Sequence, residues 1–153
     1  MYERLEEKLK TTTALKWFNG HGAQENWIVE VEDELGFRLP SSYRWWITHY
    51  GNALLDGGEI LTIVAPEHRE YHDADVLYRH RLNLAEEWWV SQFPNRMDLF
   101  VPDSDELYFF DTSTKDEQGE FSIMRYDLMN NLIEEYASSF AVFLERLIDE
   151  RSR

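Results

Sequence analysis

Apolar residues recur at helical spacing along the first part of the chain and again at its end, with strand-like runs between them. From Tyr2 to about Lys16, Tyr2, Leu5 and Leu9 share one helical face while Glu3, Glu7, Lys8 and Lys10 take the others. The glycines of "NGHG" (Asn19 to Gly22) interrupt that pattern. In "ENWIVEVEDELGF", Ile28, Val31 and Leu35 fall at i, i+3 and i+7, Glu30, Asp33 and Glu34 point outward, and Gly36 is the expected stop. Pro40 suits the next first turn, because its missing N–H has no intrahelical bond to lose, and Ser41 or Ser42 can offer a hydroxyl to the free amides. Tyr43, Trp46, Ile47 and Tyr50 then form one apolar stripe ending at Gly51 and Asn52. Trp45 lies about 100° away from Trp46. The adjacent indoles are therefore read as core and core edge, not as a ligand-stacking platform.

"GGEILTIVAP" reads as a strand, with β-branched Ile60, Thr62, Ile63 and Val64 between Gly57-Gly58 and Pro66. Glu67 to Arg81 is polar and weakly periodic, a short helix and a loop, and "NLAEEWWVSQFPN" reads as a further helix ending before Pro94. Three more strands are expected in "DLFVPDS", "ELYFFDTS" and "FSIMRYD", separated by turn-forming Asp-Ser-Asp and by "TKDEQGE". Phe140, Phe143, Leu144 and Leu147 mark a closing helix from Ser138 to Arg151, with Ser138 or Ser139 as its cap. The expected fold is α+β in one domain: N-terminal helices, a central, mainly antiparallel sheet and a C-terminal helix.

Thirty acidic residues against fifteen basic ones give a formal charge of −15, which opposes nucleic acid and anionic lipid and favours cationic partners. The excess is concentrated: Asp98 to Glu120 holds Asp98, Asp103, Asp105, Glu106, Asp111, Asp116, Glu117 and Glu120 against Lys115 alone. Asp103, Asp105, Glu106, Asp116, Glu117 and Glu120 are the candidates for a surface that binds a basic protein partner, since they fall near expected turns. The chain has no cysteine, and "MYERLEEKLK" carries no apolar signal segment. Apolar runs such as "FAVFL" are too short to span a bilayer, so a cytoplasmic protein is expected.

Candidate chemistry is sparse. His68 and His72 in "EHREYHDAD" have the i, i+4 spacing of a metal pair, with Asp73 or Asp75 within reach in sequence. Arg69 stands where a zincin would have its glutamate, and no metal or other cofactor is expected. Glu86 and Glu87 in "AEEWWV" offer carboxylates beside tryptophans, the materials of a glycoside-cleaving site, yet neighbours on a helix diverge by about 100°. No nucleophile elbow, Walker loop or dinucleotide-binding turn occurs in the sequence. These absences favour a binding protein over an enzyme.

"WIVEVEDELGFRLPSSYRWWITHYGN" resembles the signature of the SUKH superfamily, which includes the fungal cell-wall assembly (glucan synthesis) regulator and many bacterial immunity proteins. The likeness is carried by Ile28, Glu32, Leu35-Gly36, Leu39-Pro40, Tyr43 and Tyr50-Gly51, and by "ELYFFDTS", "GEFSIMRYD" and "SSFAVFLERLI" later in the chain. It spans roughly Ala23 to Ile148. Where the family often has further glycines, this chain has Asn52-Ala53 and Ser104-Asp105-Glu106. The resemblance implies an α+β fold and, for bacterial members, neutralisation of a toxin domain, often a nuclease, by occlusion. A scaffold or regulatory module of the cell-wall type is the competing expectation, and a carboxylate-dependent hydrolase a more distant one.

Overall fold

Each strand of the sheet lies beside its neighbour in sequence, so seven strands form one antiparallel meander in the order β1 to β7. The structure is a computed structural model that describes residues 1–17, 22–51, 53–55, 58–71, 74–86, 93–101 and 106–151. The strands are β1 (Leu15–Trp17), β2 (Ala53–Leu55), β3 (Gly58–Ile60), β4 (Arg96–Val101), β5 (Glu106–Asp111), β6 (Ser122–Asp127) and β7 (Leu132–Ala137). The helices among the described residues are α1 (Glu3–Thr11), α2 (Glu25–Leu35), α3 (Ser41–His49), α4 (Val76–Leu84) and α5 (Phe140–Arg151), with a 3-10 helix at Pro66–Tyr71. The α+β expectation, with early helices and a closing helix around an antiparallel sheet, therefore describes the fold.

Met97, Phe100, Tyr108, Phe110 and Ile123 are buried in the main core with Trp46 of α3 and Phe140, Phe143, Leu144 and Leu147 of α5. Tyr43 links the layers: its ring lies edge-on to Phe110 and Phe140 at 5.2 and 5.1 Å, and its hydroxyl donates to the Leu61 carbonyl at 2.6 Å. That bond lets a polar group enter the core without an unmet hydrogen bond. The tryptophan pair divides as the stripe requires. Trp46 is fully buried, between Tyr50 at 5.1 Å and Trp17 at 5.8 Å, whereas Trp45 stays partly exposed against Tyr2 at 4.5 Å.

Several boundaries differ from the sequence reading. The first helix stops at Thr11 and not near Lys16, because Thr12 turns extended (φ −72°, ψ 143°) and its hydroxyl accepts the Ala14 N–H. Three consecutive β-branched threonines favour that exit, and Leu15–Trp17 pairs with Ala53–Leu55 instead. The "GGEILTIVAP" strand is shorter than expected: beyond β3, Thr62 bridges Asp75 in parallel. β7 was not anticipated at all. Of the helix expected in "NLAEEWWVSQFPN", Asn83 and Leu84 form the end of α4 and Ala85 caps it; residues 87–92 lie outside the described residues. Gly36 ends α2 in the left-handed region (φ 84°), as a stop residue should.

Trp46→Ala is expected to destabilise the protein by roughly 3–5 kcal/mol, since it removes a fully buried indole from a layered contact. Urea denaturation checks this: an unchanged midpoint and slope would contradict the core assignment.

Candidate protein-docking surface

The β5–β6 connection carries much of the local acidic excess, and its own carboxylates shape it. Asp111 Oδ1 accepts the Ser113 amide and hydroxyl at 3.1 and 2.6 Å. Asp116 Oδ1 accepts the Gln118 and Glu120 amides, both at 2.9 Å, while Gly119 takes a positive φ of 79° to close the turn. The loop is then fastened to α3. Ser41 Oγ donates to the Gln118 carbonyl at 2.9 Å, and Glu120 receives the Ser42 amide and hydroxyl, each at 2.7 Å. Ser42 Oγ also accepts the Ala141 amide at 3.1 Å. Helix α3 is thus capped by a carboxylate from a distant segment, and neither serine caps it locally as the sequence suggested; Pro40 is the N-cap residue (ψ 142°).

Between α3 and this loop runs a cleft of about 560 Å³, lined among others by Arg38, Trp45, His49, Lys115, Asp116 and Glu117. The cleft has mixed charge. Arg44, also on its wall, bonds Glu25 and Glu32 at 2.8 and 3.1 Å. Arg38 and Lys115 are exposed cations; the acidic reading counted Lys115 against the cluster but gave neither residue a role, and their only signal was position, flanking the two segments that meet here.

Those of the six expected contact residues that are described do not form one patch. Asp116 and Glu117 are exposed together on the loop. Glu106 starts β5, at the far end of that strand, and is half-buried, accepting the Tyr108 hydroxyl at 2.8 Å with Arg125 at 4.0 Å. Glu120, expected at the partner surface, is only 7% exposed because both its oxygens are spent on Ser42. Asp103 and Asp105 lie outside the described residues.

Asp98 also leaves the surface. It sits on central strand β4, on the sheet face opposite the main core, with Arg96, Phe109 and Asn83 of α4 nearby; Asn83 Nδ2 donates to Oδ2 at 3.3 Å, and Oδ1 has no hydrogen-bond partner among the described residues. Burial pushes its carboxyl up to about 7, against the opposing pull of Arg96.

Among the described residues, the other sequence candidates join no group of three or more side chains that could hold a metal ion. His68 is exposed on the 3-10 helix, whereas His72 and Asp73 lie outside the described residues. Asp75 is fully buried as the N-cap of α4, bonding the Tyr78 and Val64 amides and Arg69 Nε at 2.8, 3.0 and 3.3 Å. Glu86 is exposed, and Glu87 falls outside the described residues. Glu32, quoted above only as part of a signature, proves structural: its carboxylate accepts the Leu39 amide at 2.7 Å and Arg44 Nε at 3.1 Å, setting the α2–α3 corner.

Glu120→Ala is expected to lower stability by about 1–3 kcal/mol, because the Ser42 amide loses its buried acceptor, while exposed Glu117→Gln stays within about 0.5 kcal/mol. Equal denaturation midpoints for the two variants would remove Glu120 from its structural role. Asp98 yields a pH prediction. Its folded-state pKa lies above the ordinary 3.8, so its contribution is full at acid pH and is lost as pH rises from about 4 through about 7. Asp98→Asn should accordingly exceed the parent in stability near pH 8 and lose that advantage near pH 4, measured by urea denaturation at both. A pH-independent difference would contradict the buried ionisation.

Comparison with known proteins completes the picture. A family model described as SMI1-KNR4 cell-wall (SUKH_5) matches residues 2–149. A solved structure of a protein from Pseudomonas syringae pv. tomato has the same fold, with a TM-score of 0.61 at 12% identity, covering 95% of this chain and 96% of that one. No curated protein matches the chain. None of the described helices is long and apolar enough to cross a membrane.

Proposed function

This chain belongs to the SMI1-KNR4 cell-wall (SUKH_5) family, and from that premise we propose that it is a non-enzymatic binding protein. Its role is that of an immunity protein, neutralising a cognate toxin, often a nuclease in such systems, by covering the toxin's active site or an adjoining surface. The observation that carries this reading is the exposed pair Asp116 and Glu117, held out on a loop whose own hydrogen bonds fix its shape. Preformed carboxylates suit a nuclease cleft, which is built to attract phosphate and attracts carboxylates by the same field. Arg38 across the cleft and Lys115 beside Asp116 on the loop would face acidic residues around the partner's basic centre. Glu120 supports the surface from behind.

A scaffold or regulatory module is the second reading, favoured by the cell-wall description of the matched family. The two separate on one experiment: co-expression and copurification with the product of the adjacent gene. A stoichiometric complex that abolishes the neighbour's toxicity supports immunity, whereas a non-toxic neighbour, or one that does not bind, defeats it.

With such a partner in hand, Asp116→Asn together with Glu117→Gln is expected to slow association and flatten its salt dependence while leaving the fold intact, since asparagine can still accept the two loop amides. Stopped-flow association across a salt series reads this out. Unchanged on-rates would make the loop a solvated surface even if the immunity role stood.

A further inference from the structure

The turn between β6 and β7 presents large apolar side chains at a place where a solvent-facing turn needs none. Leu128, Met129 and Leu132 are 44%, 79% and 50% exposed, and they account for three of the nine exposed large hydrophobics among the described residues. The turn that carries them is firmly built. Asp127 Oδ1 accepts the Met129 and Asn130 amides at 3.1 and 3.3 Å, and its Oδ2 accepts Asn130 Nδ2 at 2.7 Å. The Tyr126 hydroxyl donates to Asn131 Oδ1 at 2.7 Å, and Asn131 takes the left-handed φ of 50° that closes the hairpin. Apolar groups displayed on a pre-ordered turn dock with a smaller ordering cost than the same groups on a loose loop.

The rim is acidic. Glu106 pairs with Asp127 across β5 and β6, and Glu134 follows on the same face of β7; Arg125 between them is bonded to Glu134 and lies 4.0 Å from Glu106, while Glu135 takes the other face and accepts the Ser122 hydroxyl at 2.8 Å. β7 is an edge of the sheet. Its far end is closed by Arg146, whose Nη1 donates to the Tyr136 carbonyl at 2.6 Å, so the open stretch runs from Leu132 to Glu135. A second copy fits poorly there: twofold antiparallel pairing centred on the glutamates sets Glu134 against Glu134 or Glu135 against Glu135. An anionic lipid surface is repelled by the same carboxylates. Charge complementarity selects a cationic protein segment with apolar side chains among its basic ones.

We infer that the β6–β7 hairpin tip is a docking surface for a basic, amphipathic segment of a protein partner, with Leu128, Met129 and Leu132 as the apolar seat and Glu106 and Glu134 as the cation-binding rim. It lies one strand length, roughly 17 Å, from the Asp116–Glu117 loop at the other end of β6, and it does not depend on that partner being a toxin.

The test titrates the isotope-labelled full chain with a short synthetic peptide of alternating lysine and leucine, using a glutamate–leucine peptide as control. Chemical-shift changes should concentrate in residues 126–135, and affinity should fall about tenfold or more with Leu128→Ser plus Met129→Ser. Glu106→Gln plus Glu134→Gln, a second variant whose glutamine at 106 can still accept the Tyr108 hydroxyl, should weaken binding and reduce its salt dependence. Three results would overturn the assignment: shifts spread equally over the acidic residues Glu30, Glu67 and Glu70, affinity indifferent to the tip variants, or no binding of the cationic peptide. Sedimentation of the free protein adds a fourth, since a dimer lost on Met129→Ser would assign the tip to a second copy.

Discussion

Three segments distant in sequence converge on the buried Glu120 carboxylate and its partner Ser42: the β5–β6 loop, the first turn of α3 and, through Ser42 Oγ, the start of α5. A carboxylate removed from water must have its oxygens met, or its desolvation is left without return. Here a backbone amide and a hydroxyl meet them, and the same amide belongs to a helix terminus that would otherwise need a local cap. One interaction therefore fixes the direction of α3, the seat of α5 and the stance of the acidic loop. The position of Asp116 and Glu117 in solvent follows from where Glu120 is held. The cleft beside α3 exists because the loop is tied down at Ser41 and Ser42 and can neither collapse onto the helix nor swing clear of it.

Much of the fold was legible because it rests on periodicity. The stripes of α2, α3 and α5 and the β-branched and aromatic runs of β5 and β6 are local patterns, and tertiary structure kept them. Trp45 and Trp46 separated as a 100° step demands. Errors arose where local pattern and tertiary pairing compete. Ala14-Leu15-Lys16 continues a helical pattern, but β2 offers it a strand partner. β7 escaped notice because Leu132 is exposed and Glu134 and Glu135 sit side by side, so the alternation of a half-buried strand is broken; Asn130-Asn131 before it was the available turn signal.

The site was less legible than the fold, for a different reason. Counting carboxylates along a segment treats them as alike, and burial divides them. Asp98 lies in a strand with both faces covered, Glu120 is drawn inward by a helix terminus, and Asp111 and Asp116 bond the backbone of their own turns. A strand then carries Glu106 to the opposite end of the sheet from Glu117. Neither composition nor spacing encodes that separation. It requires the register of β5 on β6, where Glu106 faces Asp127 and Asp111 faces Ser122.

The meander also distributes chain entropy unevenly. β5 and β6 are joined by the loop 112–121 and β6 and β7 by the turn 128–131, so the strand pairs they form close loops of modest length. By contrast, Trp17 reaches Ala53 only after α2 and α3 have been laid down, and Ile60 reaches Phe100 across the 3-10 helix and α4. Closure cost rises with the logarithm of loop length, and slow steps in folding follow non-local contacts. The C-terminal hairpins are thus the part of the sheet that can form from neighbouring residues alone, and they supply a template against which the N-terminal strands and helices have only to dock.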